Sequence, residues 1–471
     1  MIEQAEGIEA LRAEVAGLKA QVADLERRLA QNSRNSSRPP SSDGLAKPPA
    51  PKSLRRPSGR KPGGQPGHEG GHLAQVAVPD DVVNHRPSVC AGCHGDLRDG
   101  EGLGHLSRQV FDLPEIRLRV CEHRAHRRRC ACGHETIGVF PASVAAATQY
   151  GPRVRALGMY LLAYQHLPYA RAAEMLGDWI GAPLSTGTLA AFMAQGAEDL
   201  QGFLDEMHAQ LIRAPVAHFD ETGFRVAGKL AWVHSASAGK FALITVHPRR
   251  GRDGMDAAGV LPAFGGVAVH DAWAPYDRYA DVAGHALCCA HALREFQAVT
   301  DAAPAGQWCW AAQVGEALRE MKRLADSSLA IDGTLTRVDG DALAAARHRF
   351  RSAILIGEKH TAARAGPLMR KHHALARRLR QRQDDYLRFT TDPRVPFDNN
   401  AAEREIRMSK LRIKVSGCMR SMDGARALCA IRSYLSTAAK HRIGMLDALT
   451  RAAGGTPWVP EMTREPIPGA A

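Results

Sequence analysis

The sequence predicts a multidomain α+β protein, and three observations lead to that prediction. A chain of 471 residues with 45% hydrophobic content is long enough for about two to four domains of ordinary size. The hydrophobic periodicity is helical near the amino terminus and again over residues 151–195, whereas short β-type runs follow residue 214. The ten cysteines include two close pairs, which in a chain of this length indicate metal ligands rather than a disulfide scaffold.

The charge balance favours a polyanionic partner. The chain has 62 Lys and Arg against 49 Asp and Glu, a formal net charge of +13, and such an excess is typical of proteins that bind nucleic acid. No stretch approaches the roughly 18 uninterrupted apolar residues of a membrane span. Residues 1–6 lack the basic and then apolar pattern of a secretory signal. We therefore expect a cytoplasmic protein without a membrane partner.

Residues 1–32 are predicted to form a coiled-coil dimerisation helix. From position 8 to position 29 the apolar residues alternate in steps of three and four, at Ile8, Leu11, Val15, Leu18, Val22, Leu25 and Leu29. β-Branched residues at the a positions and leucine at the d positions favour a parallel dimer. Because the seam is narrow and the other faces are polar, self-association is favoured over a single amphipathic helix packed on its own domain. The pattern does not distinguish a dimer from a larger oligomer built on the same helix.

Residues 33–75 are predicted to be a basic linker rich in proline and glycine. Between positions 34 and 61, eight lysines and arginines stand against one acid, Asp43. A flexible basic arm gains affinity for DNA phosphates through counterion release. The alternative is a solvated spacer that makes no contact with DNA.

Residues 76–140 are predicted to form a zinc-binding module. Cys90 and Cys93 form a CxxC pair, and Cys130 and Cys132 form a CxC pair after 36 intervening residues. Two such pairs can close one tetrahedral site for a structural Zn²⁺ ion. The alternatives are four thiols without a metal, or a site in which a neighbouring residue replaces one of the four. Those neighbours are Cys121, His94, His123, His126 and His134.

Residues 150–200 are predicted to form a helix-turn-helix-like DNA-binding region. Helices are expected over 152–164 and 169–180, and a third helix is expected from its capping residue Ser185 to Gln195. A helix, a short turn and a capped helix can place side chains in the major groove. Any helical hairpin has a similar sequence, so a hairpin that does not bind DNA is the alternative.

A catalytic core is predicted in two segments, 211–284 and 396–450. Its first segment contains short β-type runs at 215–220, 229–236, 241–247 and 266–271, with a short helix over 255–261. Asp220 closes the first of these strands and Asp271 closes the fourth. If the first strand lies beside the fourth, both carboxylates project at one edge of the sheet, where hard oxygen ligands suit Mg²⁺.

A third acid is expected late in the chain. Pro396 and Asp398 mark the start of a helix, and Glu403 lies one turn beyond Asn399 on the same face, whereas Glu405 points away. Two divalent ions that carry out an in-line phosphodiester displacement need bridging carboxylates. From spacing alone, the set of Asp220, Asp271 and Glu403 competes with other acids, namely Glu221, Asp256, Asp277, Asp281 and Asp398. Residues 285–395 are predicted to be a helical insertion, and residues 451–471 a tail.

These motifs together resemble the transposases of the insertion-sequence-66 family, the large DDE proteins of bacterial mobile elements. The resemblance covers almost the whole chain, including the heptad helix, the linker stretches 31–43 and 59–67, and the cysteine pairs. Its acid motifs are Asp220-Glu221-Thr222, Asp271 with Trp273 and Tyr276, and Asp398-Asn399-Asn400 with Glu403-Arg404. By this resemblance Asp220, Asp271 and Glu403 form the catalytic triad of a ribonuclease-H-like core.

The resemblance implies a DNA transposase that binds the ends of an insertion sequence and then cleaves and joins DNA strands. Mg²⁺ or Mn²⁺ at the triad supplies the bond chemistry, Zn²⁺ is structural, and neither a protein nucleophile nor ATP is involved. The implied partners are element-end and target DNA, a second copy through the coiled coil, and small accessory transposition proteins. The alternatives are a catalytically inactive or domesticated DNA-binding regulator, and a metal-dependent nuclease that hydrolyses DNA without joining it.

Two further features bear on the resemblance. The family has a Cys-x-x-His motif at the start of its insertion, matched here by Cys288 and His291. A packed cysteine and histidine on one helical turn is favoured over an incomplete zinc site there. After Glu403, many relatives have an Arg-Lys-Asn-Trp-like segment that this chain lacks over 410–421, which indicates a divergent branch.

Overall fold

The computed structural model describes residues 73–461 except 305, 328–339 and 364–365, together with ten scattered positions before residue 73. Most of the predicted coiled coil, most of the basic linker and the last ten residues of the tail lie outside the described residues. Of the coiled-coil seam, Val15, Leu18 and Val22 are described, and they are helical with exposed side chains. The chain divides into two compact units, residues 49–119 and residues 1–48 with 120–471.

The smaller unit, residues 49–119, contains a tight turn at the first cysteine pair. An isolated antiparallel bridge joins Val89 to Asp96, and the Cys90 N–H donates to the Gly95 carbonyl at 2.8 Å. Outside this bridge, the described residues of the unit form neither helices nor strands. Hydrogen bonds also connect distant residues of the unit, because the Val76 N–H donates to the Gln109 Oε1 and the Gln109 Nε2 donates to the Val76 carbonyl, both at 2.8 Å.

From residue 120 onward, the larger unit begins with a hairpin and a group of helices. The hairpin pairs β1 (Arg127–Arg129) with β2 (Glu135–Ile137). The helices are α1 (Pro152–Met159), which continues as a π-helical turn over Tyr160–Tyr164, α2 (Tyr169–Ile180), α3 (Thr186–Asp199) and α4 (Gln201–Arg213). The predicted helices over 152–164 and 169–180 and the one after Ser185 are confirmed.

Local chemistry sets the ends of two of these helices. The Ser185 hydroxyl accepts the Thr188 N–H at 3.0 Å, which satisfies a free donor in the first turn of α3. Gly181 ends α2 with φ +63°, a left-handed conformation that glycine adopts without strain. Helix α3 continues to Asp199, four residues beyond the predicted end.

A five-stranded mixed sheet forms the centre of the larger unit. Its strands are β3 (Val216–Val226), β4 (Lys229–Ala238), β5 (Phe241–His247), β6 (Val267–His270) and β7 (Gly284–Leu287), in the order β5-β4-β3-β6-β7. Strands β3, β4 and β5 form an antiparallel meander, whereas β6 is parallel to both β3 and β7. The prediction that the first strand of the core lies beside the fourth is confirmed.

Three details of the core prediction are wrong. Strand β3 does not close at Asp220 but continues to Val226, because it pairs with β4 in a long hairpin. Residues 285–287 were expected within the helical insertion but belong to β7 (Gly284–Leu287), a run of four residues that is too short to show strand periodicity. The expected helix over 255–261 is two helices, because Gly259 interrupts it with φ +79°.

The remaining helices connect β5 to β6, form the insertion, and complete the end of the core. They are α5 (Arg252–Ala258), α6 (Val260–Ala263), α7 (Cys289–Asp301), α8 (Trp310–Ser327), α9 (Gly340–Ala362), α10 (Pro367–Gln381), α11 (Gln383–Leu387), α12 (Asn400–Ser416), α13 (Met422–Lys440) and α14 (Met445–Ala453). Beyond β7, the elements of regular secondary structure among the described residues of the insertion are helices, as predicted. No helix among the described residues combines the length and the apolar character needed to cross a bilayer.

Helix α13 covers the β5 edge of the sheet. The Ser433 hydroxyl accepts the Ile244 N–H at 2.8 Å, and the Thr437 hydroxyl accepts the Ala242 N–H at 3.2 Å. Edge-strand N–H groups need partners when they are buried, and these two hydroxyls supply them. The pairing of β3 with β6 covers Val216–His218 only, so the later residues of β3, including Asp220, do not pair with β6.

Candidate active site

Asp220 lies in the middle of β3, two residues past the end of the pairing with β6. Its Oδ1 accepts the Glu221 N–H at 2.8 Å. Burial raises the pKa of the Asp220 carboxyl well above its ordinary value, and the charges of Glu221, Asp271 and Glu403 raise it further. The three predicted site acids are therefore close enough for their charges to interact, although they come from distant segments of the chain.

Asp271 directly follows β6, which brings it to the same end of the sheet as Asp220 because β6 and β3 are parallel neighbours. Its Oδ1 accepts the Trp273 N–H at 3.0 Å, a local turn that Asp side chains commonly stabilise. Ala272 has φ +69°, an uncommon conformation for a residue with a side chain. The chain thus turns sharply as soon as it leaves the strand.

Glu403 lies in the first turn of α12, and a buried asparagine fixes the start of that helix. The Asn399 side chain is fully buried, and its Nδ2 donates to the Phe219 carbonyl at 2.8 Å. Its Oδ1 lies 2.9 Å from the His218 Nδ1. Because both partners belong to β3, these bonds attach the start of α12 to the strand that carries Asp220.

Glu403 also approaches the first turns of α7. Its Oε1 lies 3.6 Å from the His291 Nδ1 and 3.7 Å from the Arg294 guanidinium, both longer than a hydrogen bond. The Glu403 Oε1 and the His291 Nδ1 are buried and have no hydrogen-bond partner among the described residues. A buried carboxylate oxygen without a donor is a chemically reasonable ligand for a cation.

Glu221, one of the competing acids, lies beside Asp220 but has hydrogen-bond donors of its own. Arg250 donates to the Glu221 Oε1 from Nε at 2.9 Å and from Nη2 at 2.7 Å. The Tyr276 hydroxyl donates to the Glu221 Oε2 at 2.7 Å. The Arg250 guanidinium also lies 3.9 Å from the centre of the Trp273 ring and 4.9 Å from that of Trp232, which are cation–π contacts. Both carboxylate oxygens of Glu221 therefore already have strong donors.

Three other competing acids have protein partners of their own. Asp256 accepts the Tyr279 hydroxyl at 2.8 Å, and Asp277 accepts a hydrogen bond from Arg382. Asp398 accepts the Asn400 N–H at 3.0 Å at the start of α12. Asp281 is exposed. These environments differ from that of Asp220, which is buried beside other carboxylates whose charges raise its pKa.

Sequence reasoning missed two groups that organise this region. Arg250 lies in a run of charged residues after β5, a context that gives no sign of a buried partner. His218 and Asn399 are 181 positions apart in the sequence, so no local pattern connects them. Tyr276 was part of the motif after Asp271, but its bond to Glu221 depends on the tertiary structure.

Each predicted zinc-ligand pair lies at an exposed turn. In the smaller unit, the pKa of Cys90 is lowered by backbone N–H groups of Cys93 and Gly92 and by the Cys93 thiol. In the larger unit, the pKa of Cys130, between β1 and β2, is lowered by the backbone N–H and the thiol of Cys132. N–H groups directed at sulfur favour the thiolate form, which is the form that binds metals.

The fold and site define a multidomain α+β protein in which a mixed sheet and the helices around it gather acids from three distant segments. The sequence model of the Transposase IS66 family matches residues 147–427, more than half of the chain, and the protein belongs to that family. The family makes it a DNA-processing enzyme with DNA as its partner. Residues 2–74 match a family of unknown function, DUF6444. No curated protein sequence matches the chain.

Proposed function

We propose that the protein is a DNA transposase that binds the ends of a bacterial insertion sequence and cleaves and joins DNA by a DDE mechanism. The observation that carries the proposal is the approach of Asp271 and Glu403 to Asp220, because β6 lies parallel beside β3 and Asn399 attaches the start of α12 to β3. Burial raises the pKa of Asp220, and the charges of Glu221, Asp271 and Glu403 raise it further. The strand order, with an antiparallel meander on one side of β3 and parallel strands on the other, supports a ribonuclease-H-like core.

The acid cluster suits two Mg²⁺ or Mn²⁺ ions. Hard oxygen donors match these ions, and the buried Glu403 Oε1 without a partner is consistent with a cation nearby. When bound, such ions activate the attacking water or 3′-hydroxyl and stabilise the leaving oxygen of an in-line displacement. In this proposal Asp220 and Asp271 anchor both ions and Glu403 completes the ligands of one. The chain supplies no nucleophile in this proposal. Water hydrolyses the phosphodiester bond at the element end, and the freed 3′-hydroxyl then attacks a phosphodiester bond of the target DNA.

The other regions hold DNA and assemble the protein in this proposal. The basic linker, the cysteine module and helices α2 and α3 contact the element ends, and the coiled coil over 8–29 joins two or more chains. Small accessory transposition proteins complete the assembly. The structural Zn²⁺ in the proposal is held by Cys90, Cys93, Cys130 and Cys132, as supported by their spacing and by the local N–H donors within each pair.

Strand transfer tests the proposed activity. We expect wild-type protein with Mg²⁺ or Mn²⁺ to join a labelled element-end duplex to a supercoiled plasmid, and we expect Glu403→Gln to bind the duplex without joining it. Glu316→Gln is the matched control, because Glu316 is an exposed acid on α8, and it should join normally. Cutting without joining by wild type would favour the nuclease, and binding without either reaction would favour the regulator.

The zinc assignment gives a separate prediction. Replacing Cys90 and Cys93 with serine should remove about one equivalent of zinc per chain and weaken binding of the element-end duplex. Elemental analysis and a gel-shift titration at fixed salt measure the two effects. Cys418→Ser is the control, since Cys418 is an exposed cysteine outside the two pairs. Zinc-free wild-type protein would contradict the assignment.

A further inference from the structure

Glu403 belongs to a second set of potential metal ligands. One ligand atom from each of Cys288, His291 and Glu403 lies within 4.8 Å of the other two. Among the described residues, these three form the group of His, Cys, Asp or Glu side chains whose ligand atoms come that close together. In a tetrahedral zinc site, metal–ligand distances of about 2.0 to 2.3 Å place ligand atoms roughly 3.3–3.6 Å apart. The 3.6 Å between the His291 Nδ1 and the Glu403 Oε1 agrees with that spacing.

Two helix ends hold this set together. Cys288 caps α7, and His291 is three residues later, so both lie at the same end of that helix. The Cys288 sulfur accepts the Asn399 N–H at 3.2 Å and a second backbone N–H from His291. Asn399 begins the helix that carries Glu403. The sulfur therefore lies at the junction of α7 and α12, where it meets a backbone N–H group from each helix start. Burial raises the pKa of the Cys288 thiol to about 12, so a bound cation has to displace the thiol proton.

Two polar atoms of the set, one on His291 and one on Glu403, lack hydrogen-bond partners. The His291 Nδ1 and the Glu403 Oε1 are buried without a hydrogen-bond partner among the described residues, and their separation is too long for a bond between them. A single cation between them would satisfy both atoms. A thiolate, an imidazole and a carboxylate together are a ligand set for Zn²⁺, whereas Mg²⁺ prefers oxygen ligands alone.

We propose that Cys288, His291 and Glu403 bind Zn²⁺ at a site that overlaps the catalytic site and inhibits it. A Zn²⁺ ion at Glu403 neutralises the charge of this carboxylate and places another dication beside the acid cluster, so the affinity for the catalytic ions falls. The inhibitory part rests on the proposed function, whereas zinc binding does not. Three protein ligands leave a fourth coordination position for solvent.

Cobalt titration of the full-length protein tests binding without any activity. Co²⁺ is the probe because its thiolate complexes absorb in the near ultraviolet and its tetrahedral complexes absorb strongly in the visible range. We expect Cys288→Ser and His291→Gln each to bind one equivalent fewer of thiolate-bound Co²⁺ than wild type. Cys309→Ser, which changes a half-buried cysteine elsewhere in the insertion, should match wild type. The exposed cysteine pairs contribute equally to all four proteins. Equal stoichiometry in wild type and in both variants would overturn the site.

Inhibition is tested by titrating Zn²⁺ into the strand-transfer reaction at fixed Mg²⁺. We expect zinc to inhibit wild type, and we expect Cys288→Ser to need about tenfold or more zinc for the same inhibition, since losing a ligand should weaken binding at least as much as losing a supporting contact. Equal zinc sensitivity of the two proteins would overturn the inhibitory role. Cys288-dependent cobalt binding by a protein without strand transfer would support the site while contradicting the proposed function.

Discussion

Asp220→Asn is expected to abolish DNA cleavage while leaving the binding of element-end DNA nearly unchanged. The asparagine keeps the size of the side chain and can keep the bond to the Glu221 N–H, but it removes the charge that anchors the metal ions. Losing several kcal/mol of metal-dependent stabilisation corresponds to about a thousandfold or greater loss of cleavage rate. Single-turnover cleavage and a gel-shift titration on the same protein preparation measure the two properties.

A stability measurement separates this loss from misfolding. Asp220 lies among three other carboxylates that raise its pKa, so removing its charge relieves repulsion in the metal-free protein. Asp220→Asn without metal should therefore melt no lower than wild type. Added Mg²⁺ should stabilise wild type more than the variant, because a ligand stabilises the folded state that binds it. Asp281→Asn, at an exposed acid, should behave as wild type, and retained cleavage by Asp220→Asn would refute its assignment.

The sequence predicts those parts of the fold that depend on local patterns. Ser185 has the hydroxyl that caps α3, and the β-type runs at 229–236 and 241–247 correspond closely to β4 and β5. The positions of Asp220 and Asp271 could also be inferred, because parallel neighbouring strands bring their carboxyl ends together. These predictions need only periodicity, capping chemistry and one assumption about strand order.

The remaining features depend on contacts between distant segments. Strand β3 extends past Asp220 because β4 pairs with it as far as Val226, and no feature within the segment itself marks that length. Strand β7 has four residues, and it forms because β6 offers a free edge. The acidic site also depends on such contacts. Glu221 and Asp220 are adjacent in sequence, and the tertiary partners Arg250 and Tyr276 distinguish the environment of Glu221 from that of Asp220.

The largest expected effect on stability is that of Arg250→Ala, because Arg250 forms an ion pair with the buried Glu221 carboxylate. The Glu221 side chain is 1% exposed and the Arg250 side chain 35%, so the variant leaves a buried carboxylate with Tyr276 as its remaining donor. Breaking one side of a buried ion pair costs about 3–5 kcal/mol, and the partial exposure of Arg250 reduces this to about 2–4 kcal/mol. Urea unfolding followed by circular dichroism measures the change.

The neighbouring arginine provides a matched control for this prediction. The Arg249 side chain is 75% exposed and pairs with an exposed Asp253, so Arg249→Ala should cost less than about 1 kcal/mol. Replacing Glu221 with glutamine in the Arg250→Ala background should recover part of the loss, because the unpaired buried charge is then removed. Equal destabilisation by Arg249→Ala and Arg250→Ala would contradict this role. Because Arg250 contacts Trp273, two residues after Asp271, its removal should also lower cleavage in protein that remains folded.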